Sequence, residues 1–401
     1  MYMQNETAAA LSCLRCGAEY ELNDYTTGCP ACLEQGYPVS LEVTYAGTEK
    51  WTVDPRLRGM QRFADRLPYR TFPTLGEGDT PLIELADLAD ELGLAGLWLK
   101  NEGQNPTGSH KDRMSAQVVA RAKATGRTTV VAASSGNAGA SLAAYAAAAG
   151  LRCVVVTTVG MNQTWEQAVR ATGAELVAAH DSKLRWKYMR KMVETEGWYP
   201  VTNYIDPPTG SNLWGVQGYK TCGHEIAEAF QGHAPTAIVV PTSRGDLLWG
   251  IWRGLQEAKA AGWIDTLPRL YAAEPFGRLS RVLSGEDYRG QFPGDHSATE
   301  SIGGSTATFQ SLVALRESGG GAVDVAGADA LAGQTKLAQR GLYLESSSAV
   351  VYAAVRQLKV SGDLGEADRV VLVGTSNGYK DNYFAKLPQM KLIDAADVVS
   401  S

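Results

Sequence analysis

The sequence predicts an α/β protein with two parallel-sheet domains and a small N-terminal zinc ribbon. Three observations carry this reading. Short apolar runs alternate with helix-length segments from residue 97 to residue 373, as in crossovers that cover a parallel sheet on both faces. The 401 residues suffice for two cores and an appendage. Four of the six cysteines form two Cys-x-x-Cys pairs, Cys13/Cys16 and Cys29/Cys32. That spacing suits a tetrahedral thiolate site.

Taken in order, the ribbon is expected over 8–38 and a short β-rich connection over 39–53. The stretch from Cys13 to Cys32 is acidic (Glu19, Glu21 and Asp24 against Arg15), which suits a folding or docking module better than a nucleic-acid finger. Strands are expected at 97–100, 129–133, 153–157, 175–178, 237–241, 270–273 and 369–373, each a short apolar run. Helices are expected at 111–125, 138–149, 164–172, 181–196, 217–230, 246–261, 327–340 and 348–360. In the first, Met114, Val118, Val119 and Ala122 recur at helical spacing, and the second is rich in alanine. An apolar fraction of 44% and 43 glycines fit an enzyme with many tight turns. The net charge of −6 provides no basic field for nucleic acid. The longest uncharged stretch, Thr128 to Leu151, is interrupted by Ser134-Ser135-Gly136-Asn137, too polar a centre to span a bilayer. No basic stretch followed by an apolar core opens the chain, so a cytoplasmic protein without membrane or nucleic-acid partners is expected. In a reducing cytosol, zinc at the four cysteines is favoured over disulfides; Cys153 and Cys222 read as packing residues.

The chemistry concentrates in two segments. Asn105-Pro106-Thr107-Gly108-Ser109-His110-Lys111-Asp112-Arg113 places an amine just after a loop, at the start of a helix. Ser134-Ser135-Gly136-Asn137-Ala138 is a turn between a strand and an alanine-rich helix. Such a helix start offers free amides to a carboxylate. A lysine and an anion site about twenty-five residues apart are parts of a pyridoxal 5'-phosphate (PLP) enzyme, in which the lysine attaches to the cofactor aldehyde. Taken alone, Lys111 would be a solvated helix-start lysine; the two loops in order argue otherwise. PLP also needs a phosphate cradle, for which the best candidate is Thr242-Ser243-Arg244-Gly245, a small-residue turn before a helix. Arg244 could pair with phosphate there, whereas Asp246 would have to face away, as an N-cap. Asn137 is expected beside the ring oxygen. Ser134, Ser135 and the amides of Gly136 and Ala138 are expected to receive the substrate carboxylate, together with Thr107 and His110 from the lysine loop.

The two segments resemble the lysine motif (Asn-Pro-Thr-Gly-Ser-Phe-Lys-Asp-Arg) and the asparagine loop of threonine synthase and its fold-type II PLP relatives, and the likeness runs over most of the chain. Gly76-Glu77-Gly78-Asp79-Thr80-Pro81-Leu82 resembles another family segment. The resemblance implies a tryptophan synthase β-like fold, with a large PLP-binding domain (39–110 and 215–401) and a small α/β domain (111–214) inserted into it. It implies that Lys111 carries the cofactor and that Thr375, with Ser376 as fallback, meets the pyridine nitrogen from the segment Gly374-Thr375-Ser376-Asn377-Gly378-Tyr379-Lys380-Asp381. It further implies that Ser348 caps a helix, that Glu345 lies near the cleft, and that the protein is a homodimer. Three departures stand out. His110 replaces the usual Phe, the phosphate loop holds fewer glycines, and Gly215 stands where an arginine often precedes the supporting helix. Three functions follow from this reading. The first is threonine synthase, a lyase converting O-phospho-L-homoserine and water to threonine and phosphate. The second is a sister β-replacement or β-elimination enzyme (cysteate synthase-like, or an amino-acid ammonia-lyase). The third is a non-catalytic zinc-ribbon binding protein, against which Lys111 and Asn137 speak.

Overall fold

The computed structural model describes residues 2–47, 51 and 53–380. Two sheets organise the chain. The larger has the strand order Gly321–Asp324, Arg269–Glu274, Ala237–Pro241, Arg369–Gly374, Gly96–Asn101, Leu82–Glu84. All neighbours are parallel except the last pair, where Leu82–Glu84 runs antiparallel to Gly96–Asn101. The smaller, wholly parallel sheet has the order Glu175–Ala179, Arg152–Thr158, Thr129–Ala133, Tyr199–Pro200. Their central strands are continuous apolar runs such as Ile238-Val239-Val240 and Val154-Val155-Val156, buried on both faces.

Several expectations need correction. The helix expected at 217–230 starts earlier, as Leu213–Val216, tightens through Gln217–Tyr219, and continues as Lys220–Ala229. Gly218 explains the tight stretch: a Cβ there would lie 1.9 Å from the Arg113 carbonyl oxygen, so two backbones touch where no side chain fits. The helices Ala86–Leu92 and Phe309–Ser318 are additional to those expected. Leu41–Tyr45, expected in a connection beyond the ribbon, pairs with Ala8–Cys13 as the third strand of the ribbon sheet.

The helix Lys111–Ala124 lies at the centre of the molecule, and every residue from Asp112 to Ala122 is buried. Its charged members are matched accordingly. Arg113, fully buried, donates to Glu102 at 2.6 Å and to Glu225 at 2.7 Å, and Lys100 donates to Glu225 at 2.6 Å. Farther along, Arg121 donates to Asp24 of the ribbon at 2.9 Å, and Asp24 also accepts from Tyr199. One ribbon carboxylate therefore ties the lysine helix to the edge strand of the smaller sheet.

Candidate active site

The site is built at the carboxyl ends of parallel strands, where peptide groups leave the sheet and backbone donors become free. Asn101 ends a strand before the lysine loop, Ala133 before the Ser134–Gly136 turn, Pro241 before the 242–245 turn, and Gly374 before Thr375. The lysine loop and the last strand are locked together. Ser109 bridges to Ser376, the His110 amide donates to the Thr375 carbonyl at 2.9 Å, and the Asn377 amide donates to the Gly108 carbonyl at 3.1 Å.

Lys111 is the first residue of its helix. Its Nζ donates to the Tyr219 hydroxyl at 3.3 Å rather than to a carboxylate. Burial holds its pKa below the ordinary lysine value, with Arg244 acting in the same direction. His110 turns Nδ1 to the Thr375 carbonyl at 3.1 Å and packs its ring 5.5 Å from that of Tyr219. Burial, then the charge of Lys111, keeps it neutral, well below the usual imidazole range.

Asn137 opens its helix and joins three partners. Its Nδ2 donates to Glu345 at 2.8 Å, and its Oδ1 accepts from Lys380 at 2.8 Å and from Ser376 at 3.2 Å. Lys380, 4.6 Å from the Trp165 ring centroid, also donates to the Thr107 and Gly108 carbonyls; burial pushes its pKa down to about 8. Asp381 lies outside the described residues. Thr375 and Ser348 share a hydroxyl–hydroxyl bond of 2.7 Å. Ser348 is therefore not the expected cap: Glu345 occupies the cap position, and the Ser348 hydroxyl serves Thr375 and the Ser376 amide.

Several expected anion donors are turned inward. The Ser134 hydroxyl accepts from the Gly136 and Gly139 amides, leaving the Gly136 amide engaged, while the Ala138 amide opens the helix. Thr107 gives both its amide (2.7 Å) and its hydroxyl (2.5 Å) to Asp112. The Thr242 hydroxyl, expected at the phosphate, donates to the Val240 carbonyl at 2.8 Å. Ser135 remains at the cleft, bonded to Thr157, Thr158 and, at 2.9 Å, to Arg185. The Asp246 carboxylate does face away, toward Ser211 at 2.6 Å, but Gly245 takes the cap position.

The residues present fit PLP. Among the described residues, none accepts a bond from the amides of Ser243, Arg244 and Gly245, at the start of the helix Asp246–Ala260, which makes an anion cradle. Gly245 is required there: its φ is 84° and a Cβ would lie 2.3 Å from that of Ser311. An amine, a cradle, a hydroxyl pair and an oriented amide are the kinds of group the cofactor's chemistry demands.

A family profile described as pyridoxal-phosphate dependent enzyme matches residues 73–376. The chain belongs to this family. The enzyme is 30% identical over 381 residues to threonine synthase of Methanocaldococcus jannaschii, with 92% of each chain covered. It is 35% identical over 321 residues to threonine synthase of Halalkalibacterium halodurans, covering 77% of this chain and 84% of that one. Among solved structures, it superposes on threonine deaminase from Solanum lycopersicum (TM-score 0.63, 19% identity, 74% of this chain and 83% of that one). Diaminopropionate ammonia lyase from Escherichia coli matches at a TM-score of 0.65, 17% identity and 81% and 90% coverage. The enzyme is thus a fold-type II, PLP-dependent lyase.

Away from this site, the sulfurs of Cys13, Cys16, Cys29 and Cys32 all lie within 4.8 Å of one another and form no disulfide. Cys13 and Cys32 are 3.7 Å apart, Cys16 and Cys29 3.8 Å. Sequence reasoning missed Tyr219, Arg185 and Ser301, the last donating to Glu345. No local signal marks them, because only the tertiary fold brings them to the loops.

Proposed function

We propose that this lyase is a threonine synthase, which releases phosphate from O-phospho-L-homoserine and adds water at the β-carbon. The observation that carries the reading is the Lys111 amine, desolvated and faced by a hydroxyl rather than a carboxylate. The named relatives support the substrate. PLP, when bound, supplies an electron sink for charge developing at the substrate carbons. Lys111 would hold the cofactor and move the α- and β-protons at its Nζ, its lowered pKa favouring the neutral amine that can act as base. Tyr219 would orient that amine through its hydroxyl. Asn137, fixed by Glu345 and Lys380, would hold its amide beside the ring oxygen. The Ser243–Gly245 amides would take the cofactor phosphate. Thr375, backed by Ser348, would present a neutral hydroxyl to the ring nitrogen. A hydroxyl does not keep that nitrogen protonated as a carboxylate would, which favours elimination and replacement over transamination. Ser135 and the Ala138 amide would receive the α-carboxylate.

The test is phosphate release with mass spectrometry of the products, from O-phospho-L-homoserine added to PLP-loaded protein. Phosphate together with threonine is expected; no turnover by cofactor-loaded protein would reject the substrate and direct a screen to β-substituted alanines.

The reading extends to zinc in the ribbon. Four thiolates about 2.3 Å from a tetrahedral ion stand about 3.8 Å apart, close to the sulfur separations observed. Replacing Cys13 and Cys29 with Ser is expected to release one zinc per chain, read by metal analysis, while the bound cofactor's spectrum stays largely intact. Loss of both signals together would show that the ribbon supports the core. The reading also includes a large domain of 39–110 and 215–401, a small domain of 111–214, and a cytoplasmic homodimer. No helix among the described residues is long and apolar enough to cross a membrane.

A further inference from the structure

Two arginines face the cleft without a direct ion pair. Arg185, on the helix Ser182–Glu196, donates to Ser135 at 2.9 Å. Arg244 extends from the 242–245 turn so that its guanidinium carbon lies 5.2 Å from the ring centroid of Trp186, the residue after Arg185. Both side chains are half-buried, and the Nε of each is buried with no hydrogen-bond partner. Neither takes part in an ion pair among the described residues, and the hydrogen bonds of the nearby carboxylates go to other groups. Asp246 accepts from Ser211 and Gln310. Glu274 accepts from Arg278 at 3.1 Å and from the amides of Arg278, Leu279 and Ser280. Burial pushes Arg244 down to about 10; Asp246 favours its charge, while Arg278 and Arg185 repel it. Burial likewise lowers Arg185. Keeping two desolvated guanidiniums together costs stability unless an anion pairs with them.

We propose that Arg185 and Arg244 form a subsite for a tetrahedral dianion carried on the substrate side chain, the leaving phosphate in the threonine synthase reading on which this inference rests. Bidentate guanidinium pairing suits such an oxyanion. The subsite is distinct from the cofactor cradle: the amides of Ser243, Arg244 and Gly245 serve the cradle, whereas the Arg244 side chain reaches toward Trp186. Gly304 leaves the space beside it open, since a Cβ there would sit 3.0 Å from the Ser243 hydroxyl and 3.7 Å from Arg244 Nη2. The fold also explains why the cation is supplied from here. Gly215 is packed on the lysine helix, where even a Cβ would lie 2.8 Å from Met114 Cγ, so an arginine has no room at that position.

The test titrates inorganic phosphate into PLP-loaded protein by calorimetry, for the wild type, Arg185→Gln and Arg244→Gln, with cofactor affinity measured separately. Wild-type protein is expected to bind phosphate, and each substitution to weaken it about tenfold or more, with PLP affinity changed by less than about threefold. The KM for O-phospho-L-homoserine should rise in parallel. Arg185→Gln, on a half-exposed helix, decides the matter should Arg244→Gln fail to fold. Absent or unaltered phosphate binding overturns the proposal, and so does a matching loss of PLP affinity, which would make the cofactor phosphate the ligand. Arginine-dependent phosphate binding without turnover of O-phospho-L-homoserine keeps the subsite and rejects the threonine synthase reading. Turnover with an unchanged KM in both variants does the reverse.

Discussion

Lys111→Ala is expected to lower turnover by more than about a thousandfold in a protein that still folds. The proposed roles place two tasks on one amine, attachment of the cofactor and proton movement, so its loss removes both together. The fold should survive because the Nζ makes a single hydrogen bond, to Tyr219, and its removal relieves a desolvated amine. Absorbance spectra and borohydride trapping of PLP, with a melting curve on the same sample, check this. Turnover above about a hundredth of wild type, or cofactor still fixed to the chain, would reject the assignment.

The largest effect on stability is expected from Arg113→Ala. Arg113 is fully buried and its three nitrogens serve Glu102, Glu225, Thr80 and Thr221. Its removal leaves two buried carboxylates against a single cation, Lys100. Breaking a buried network in this way costs about 3–5 kcal/mol, to be read as a lower urea midpoint. The sign with pH follows from the carboxylates. Despite burial, the charge of Arg113 holds both Glu102 and Glu225 below the usual carboxylate value. Their contribution is present above the unfolded-state value of about 4.3 and is lost as pH falls below it. The deficit of Arg113→Ala relative to wild type should therefore shrink as pH is lowered below that value. A deficit independent of pH would show that packing, not charge, sets the loss.

Local patterning makes much of this architecture legible in the amino-acid sequence. The strands Thr129–Ala133 and Ala237–Pro241 have the bounds expected of them, because a fully buried parallel strand is an unbroken apolar run flanked by turn residues. Tyr199–Pro200 and Gly321–Asp324 carry no such signal. They are short edge strands, held by one neighbour each rather than by their own residues. The hydroxyls of Thr107, Ser134 and Thr242, expected as ligand donors, are engaged within their own turns for a related reason. A hydroxyl in a turn can serve the turn itself, and only geometry shows which it does. Arg185 is hidden from the opposite direction: within Lys183-Leu184-Arg185-Trp186-Lys187 it reads as one more solvated charge. Its importance lies in what it faces across the cleft.

The pairing of the Lys111 loop with residues 375–377 joins segments more than 260 residues apart in the chain. A nascent polypeptide still lacking residues 369–380 has the Lys111 amine but neither the Thr375 hydroxyl nor the Ser376 and Lys380 contacts that position Asn137. In the proposed reading, cofactor capture then waits on the pairing of the Arg369–Gly374 strand. Loading with PLP would then report that this strand is in place.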